Sequence, residues 1–295
     1  MTHLKDMKEV MLKRANELEN RVVFKDLVLP LADYCEEHDL SPLLVADCGS
    51  HAWGFAQETS DWDVKFVYVH NDKDKYLSLR EPMQHTEFKD EALNATFSGY
   101  DVKKYLNLLL KGNANVYEMV ESSYMLPLAG DTARSLRNYT VDVLKENLDK
   151  MMAHYAGLSF NTYRDRIRNV GEPTMKKWFY VVRPLLCVEY MFVTNNLPPL
   201  EFQNLLNQAY VLDLVPHEVH DAMWKLLKEK REGDMTKVTN MDMKAVDTWV
   251  QERHTYWKEY LNDSKNGVLM EKLLTNPEDF DETYRELLSG HFHYE

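Results

Sequence analysis

Cysteine is scarce in this 295-residue chain: Cys35, Cys48 and Cys187 stand far apart and odd in number. That spacing argues against a disulfide framework and lacks the paired short intervals of a structural zinc site, so the thiols are expected to be reduced and packed. No apolar run approaches the roughly 20 residues that cross a bilayer. The stretch Met1-Thr2-His3-Leu4-Lys5-Asp6 lacks the apolar core of a signal peptide. A soluble, cytoplasmic protein is the expectation, with no membrane partner. Excess positive charge is missing as well. The formal net charge of −13 favours solubility and opposes broad non-specific binding to a phosphate backbone, while leaving room for a local basic groove. Internal repeats and low-complexity linkers are absent, and the eleven histidines, His291 and His293 included, show no zinc-ligand spacing.

What the chain does have is enough apolar material, 44% of its residues, to bury a core larger than one minimal domain. Leu4, Met7, Met11 and Leu18 recur at helical spacing and predict an opening amphipathic helix, followed by a second over Asp26 to His38 despite Pro30. Leu43-Leu44-Val45-Ala46 is a short apolar run ended by Gly49, which predicts a buried strand. The segment after Asp61 predicts the next strand, His70 to Glu91 a polar surface excursion, and Leu93 to Ser98 a third strand. Helices are expected over Val102 to Lys111, with Asp101 placed to cap the first, and over Asn115 to Ser122. Beyond Leu126 the alternation gives way to helical spacing over Val141 to Asn169, Thr174 to Asn195, Pro216 to Lys230 and Met241 to Leu261. The division therefore falls near residue 125, with residues 1–125 bearing the sheet and residues 126–295 helical.

The densest chemistry lies between Asp47 and Val69, in DCGSHAWGFAQETSDWDVKFVYV. In an extended strand Asp61, Asp63, Lys65 and Val67 share one face, while Trp62, Val64, Phe66 and Tyr68 share the other. Two neighbouring carboxylates repel, and a hard divalent cation, Mg2+, with nucleotide phosphates completing its shell, relieves that repulsion. Gly49 and Ser50 end the preceding strand, where glycine lets the backbone approach a ligand and amides plus a hydroxyl can hold phosphate oxygens. Each piece alone is more often a solvated edge strand or an ordinary turn; their order and spacing together point to a triphosphate site.

The segment GSHAWGFAQETSDWDVKFVYVH resembles the Gly-Ser-x-Ala-Trp-Gly-Phe…Ser-Asp-Tyr-Asp-Val signature of nucleotidyltransferases in the DNA polymerase beta superfamily, the YcgL/RlaP type. The resemblance continues through Tyr76-Leu77-Ser78-Leu79, through Ser98 to Val120 and, more loosely, Lys176 to Leu186. It spans roughly residues 43 to 190. It implies an α+β nucleotidyltransferase fold, a mixed sheet with flanking helices followed by an all-helical domain that closes the nucleotide cleft. Gly49 and Ser50 are implied to contact the triphosphate of an NTP, and Asp61 and Asp63 to hold Mg2+. The implied reaction is transfer of a nucleoside monophosphate to an acceptor hydroxyl of RNA, protein or a small molecule, with release of pyrophosphate.

Two positions depart from the family pattern. His51 stands where arginine is usual, so the nucleotide contact that the signature implies at this position is expected to be weaker or pH-sensitive, and Asn94-Ala95-Thr96 occupies the stretch where a third catalytic carboxylate is expected. Asp101 could supply that carboxylate or serve as a helix N-cap, and Asp47 is another acidic candidate. Lys176, Tyr180 and Arg183 fall at i, i+4 and i+7, a stripe that either faces the triphosphate or is solvated. The cationic groups Lys103, Lys104 and Lys111, and Arg164, Arg166 and Arg168, either guide a nucleic-acid acceptor or are simply hydrated. Two further readings stay open: a nucleotide-binding or interaction module that keeps the fold without turnover, and a helical scaffold.

Overall fold

The computed structural model describes residues 22–170, 174–233, 243–266 and 277–290, with residues 9, 11 and 13 of the N-terminal segment. The predicted helix over Leu4 to Leu18 otherwise lies outside the described residues, as do His291 and His293. A helix, α1 (Val22–Glu37), leads into β1 (Leu40–Asp47) and β2 (Trp62–His70). Then come β3 (His85–Asp90), β4 (Ala95–Asp101), α2 (Val102–Leu110), α3 (Ala114–Glu121) and β5 (Met125–Pro127). The rest of the described chain is helical: α4 (Asp131–Glu146), α5 (Leu148–Tyr163), α6 (Lys177–Thr194), α7 (Phe202–Val211), α8 (His217–Arg231), α9 (Lys244–Asn266) and α10 (Pro277–Ser289). No helix among the described residues is long and apolar enough to cross a membrane.

The five strands form one mixed sheet in the order β3-β4-β2-β1-β5. β2 runs parallel to β4, and the remaining neighbours are antiparallel. Alternation along β2 sorts its side chains as the sequence predicts. Val64, Phe66 and Tyr68 enter a core with Leu27, Leu31 and Cys35 of α1, while Val67 enters the opposite core with Val102 and Leu106 of α2. That second core continues into the helical region through Leu136, Phe179, Leu205 and Val250.

The segment read as a polar excursion contains β3, which the sequence reading missed. Thr86 is its one buried residue and Phe88 is half-buried, so this edge strand carries too few apolar residues to announce itself. β5 straddles the predicted division: Met125 to Pro127 pair with Ala46 to Leu44 and complete the sheet. The stretch read as one helix, Val141 to Asn169, is broken at Asn147, whose side chain donates to the Val143 carbonyl at 2.8 Å.

Candidate active site

The Gly-Ser turn is built around a buried carboxylate. Asp47, the last residue of β1, accepts hydrogen bonds from the backbone N–H groups of Gly49 (3.2 Å), Ala52 (2.9 Å) and Asp63 (3.1 Å). One side chain thereby ties the turn to the start of β2. Burial lifts its pKa to about 7 against the opposing pull of those three donors. A Cβ on Gly49 would lie 2.4 Å from Oδ2 of Asp63, so glycine is required here for close approach of the turn to the carboxylate strand. Gly54 is needed for a different reason, its positive φ of 75°. Between them sits Ser50, 7% exposed, with a hydroxyl that has no hydrogen-bond partner among the described residues. A buried, unpaired hydroxyl is costly unless something outside the protein completes it.

Asp61 and Asp63 lie at the entry to β2, and neither carboxylate accepts a protein hydrogen bond among the described residues. Burial and the neighbouring Asp61 raise the pKa of Asp63. Each opens onto a different cavity. Asp61 lines an outer pocket of about 310 Å3 with Ser50, Ser60, Lys176, Tyr180 and Lys230. Asp63 lines an inner cavity of about 290 Å3 with Trp53, Lys65, Asn115, Tyr180 and Arg183. Tyr180 borders both, at the junction where the carboxylates stand. Among the described residues no group of three or more His, Cys, Asp or Glu side chains is arranged to hold a metal ion. A divalent cation on Asp61 and Asp63 therefore needs ligands from a bound substrate, which is the usual habit of Mg2+ at phosphate sites.

The structure brings Gly49, Ser50, Asp61, Asp63, Lys176 and Tyr180 together, and it separates three other candidates from them in different ways. Asp101 caps α2, accepting from the Lys103 N–H at 2.8 Å and the Tyr76 hydroxyl at 2.5 Å. In the β2–β4 register it pairs with Tyr68, whereas Asp63 pairs with Thr96, so Asp101 sits at the other end of the sheet. Of the two readings left open for it, the geometry is that of the N-cap. The β4 positions alongside Asp63 and Lys65 are Thr96 and Ser98, and neither is a carboxylate. His51 stacks on Trp62, with ring centroids 3.7 Å apart, and lines neither cavity; burial lowers its pKa.

Arg183 reaches the inner cavity with its charge already matched. It is 2% exposed, pairs with Glu118 at 2.8 Å, donates to the Leu200 carbonyl at 3.3 and 3.2 Å, and lies 4.6 Å over the Trp53 ring. The face shared by Lys176 and Arg183 is thus divided, Lys176 turned to the outer pocket and Arg183 locked behind it. Of the basic clusters, Lys103 pairs with Glu81 and Arg164 with Asp165 at the surface.

Sequence reasoning missed Lys230. The last turn of α8 packs on the Gly-Ser loop: Lys230 Nζ donates to the Phe55 carbonyl at 2.8 Å, Arg231 Nε to the Gly54 carbonyl at 2.9 Å, and Gln57 Nε2 returns a bond to the Lys230 carbonyl at 2.5 Å. Burial and the nearby Lys176 lower the Lys230 pKa to about 8. In the sequence it lies inside the charged run Lys228-Glu229-Lys230-Arg231-Glu232, which reads as solvated surface. Asn115 and Glu118 were likewise passed over as ordinary positions on a short helix.

The model of RlaP, the RNA repair pathway DNA polymerase beta family, matches residues 26–273. The chain belongs to this family. It is also 29% identical, over 199 residues, to the uncharacterized protein YcgL of Bacillus subtilis (strain 168), an alignment that covers 68% of this chain and 73% of that protein. RlaP membership points to the DNA polymerase beta-like nucleotidyltransferase superfamily, and the mixed sheet with helices on both faces agrees with it.

Proposed function

We propose that this RlaP-family chain is a Mg2+-dependent nucleotidyltransferase that moves a nucleoside monophosphate from an NTP to an acceptor hydroxyl and releases pyrophosphate. The observation that carries the reading is the orphaned hydroxyl of Ser50, buried in a pocket that also holds Asp61, Lys176 and Lys230. Lys230, whose protonation burial and the nearby Lys176 depress, gains from an anion placed between the two amines, and a phosphate oxygen gives the Ser50 hydroxyl its missing partner. The outer pocket would thus take the β- and γ-phosphates, leaving the α-phosphate at the carboxylates.

Asp61 and Asp63 are the residues to hold Mg2+, their unsatisfied oxygens suiting a hard cation better than a backbone donor. Bound Mg2+ supplies charge neutralisation for the phosphate undergoing substitution and for the departing pyrophosphate. Asp47 holds the turn and Asp63 in register, Gly49 keeps the space between them open, and Lys230 anchors the helical region on the loop. In this reading residues 1–125 form the catalytic unit, residues 126–295 close the nucleotide cleft, and the protein works in the cytoplasm.

Thr96 opposite Asp63 favours a second reading, a nucleotide-binding module without turnover, because no β4 carboxylate is there to activate the acceptor. Pyrophosphate release from each NTP with Mg2+, compared for wild type, Asp61→Asn and Asp63→Asn, decides between them. Release that is lost in both variants supports the enzyme. Mg2+-NTP binding without release supports the module, and no binding rejects both.

A further inference from the structure

We propose that the inner cavity receives the nucleobase of the NTP, stacked against its aromatic walls with Asn115 at its edge. The inference rests on the phosphate reading of the outer pocket and adds where the rest of the nucleotide goes. Asp61 faces the outer pocket, Asp63 the inner cavity, and Tyr180 belongs to both. A nucleotide whose α-phosphate sits at the carboxylates with its outer phosphates beside Ser50 therefore has its nucleoside directed past Tyr180 into the inner cavity.

The lining suits a flat, uncharged ring. Trp53, Tyr155, Phe179 and Tyr180 supply aromatic surface, and stacking on such walls tolerates any base. Formal charge inside is already balanced, with Arg183 bound to Glu118, and with Lys65 held by Asn115 beside Asp63. Among the described residues no surplus cation waits there for another phosphate, which disfavours an RNA backbone as the occupant. The volume, about 290 Å3, is at the small end of ligand cavities and admits one nucleoside.

One polar group is oriented toward an occupant. Lys65 Nζ donates to Asn115 Oδ1 at 2.6 Å, which fixes the amide so that Nδ2 is the atom left to donate to a ring nitrogen or carbonyl. Asn115 is itself held in place at the start of α3, where its backbone N–H donates to the Asn113 side chain at 2.9 Å. No residue of β3 or β4 lines the cavity, so the Thr96 side of Asp63 stays available to the acceptor.

Calorimetric titration of the full chain with Mg2+-tripolyphosphate and with Mg2+-ATP, GTP, CTP and UTP tests the idea. In wild type at least one NTP should bind about tenfold more tightly than tripolyphosphate, the size expected of a stacked base. Leu158→Trp, at the 41%-exposed rim, and Thr162→Trp should each reduce that advantage to less than about twofold, with tripolyphosphate affinity unchanged as the sign of an intact fold. NTPs that bind no more tightly than tripolyphosphate to wild type would overturn the proposal without any variant. So would an NTP advantage that survives both substitutions while transfer is lost, which would make the cavity the acceptor's. Failure of tripolyphosphate to bind at all would instead reject the phosphate reading of the outer pocket, and the base assignment with it.

Discussion

Asp63 and Asp101 belong to adjacent strands of one sheet, and burial raises the pKa of both. The fold treats them in opposite ways. Asp101 receives a backbone N–H and a tyrosine hydroxyl, so its oxygens are spoken for and its work is to start α2. Asp63 receives no protein donor among the described residues and stands beside a second carboxylate at the mouth of two cavities. The same division separates Arg183, fully engaged by Glu118 and Leu200, from Lys176, which faces the outer pocket with no such partner among the described residues. Groups that the protein saturates hold the structure together, and groups that it leaves unsaturated await a ligand.

The comparison is broken most directly at Asp63. Asp63→Asn should lower nucleotidyl transfer by about a thousandfold, because charge stabilisation at the reacting phosphate is lost. Its metal-free melting temperature should hold or rise as repulsion from Asp61 is relieved. A variant that melts well below wild type while keeping transfer would place Asp63 with Asp101 among the structural residues. Next in size is Arg183→Met, which strands Glu118 in the interior and should cost about 3 kcal/mol in urea unfolding. Adding Glu118→Gln should recover much of that loss, a result that a direct phosphate contact by Arg183 would not give.

A saturated group in the helical region offers a pH test. His254 packs on Phe160 and Tyr163, with Nε2 2.8 Å from the Ser159 hydroxyl, and burial lowers its pKa to about 4. The folded state thus resists protonating a ring that the unfolded chain protonates near pH 6.5, so this contribution is present above about pH 6.5 and is lost as pH falls toward 4. After allowance for its partial exposure the loss should be about 2 kcal/mol. His254→Gln should flatten that limb of the stability profile, and an unchanged slope would show that the ring titrates normally. The smallest effect belongs to Asp101→Ala, which removes a cap and should cost about 1 kcal/mol while transfer by the folded enzyme persists. Loss of transfer at full stability would return Asp101 to the catalytic candidates.

Much of this was legible in one dimension because it depends on neighbours within a few residues. Alternation along Trp62 to Tyr68 set the two faces of β2, and Gly49-Ser50 and Asp61-x-Asp63 marked the turn and the carboxylate strand, whereas Asp101 directly before an amphipathic run offered a cap without excluding the catalytic role that the fold denies it. The switch to helical spacing near residue 125 was equally local. β3 stayed hidden because a single-sided edge strand has little apolar signal, and His51 was assigned by position in a signature although its ring is occupied by Trp62.

By itself, then, the sequence determined most of the element types, β3 excepted, the placement of the Gly-Ser turn beside two aspartates, and the family to which the chain belongs. Only the tertiary structure decided which charged groups are spent and which are left for a ligand. Glu118 neutralises Arg183 from 65 positions away, and Lys230 meets the Phe55 carbonyl across 175. Neither pairing leaves a periodic or local trace, because saturation of a buried group is settled by whatever the folded chain packs against it.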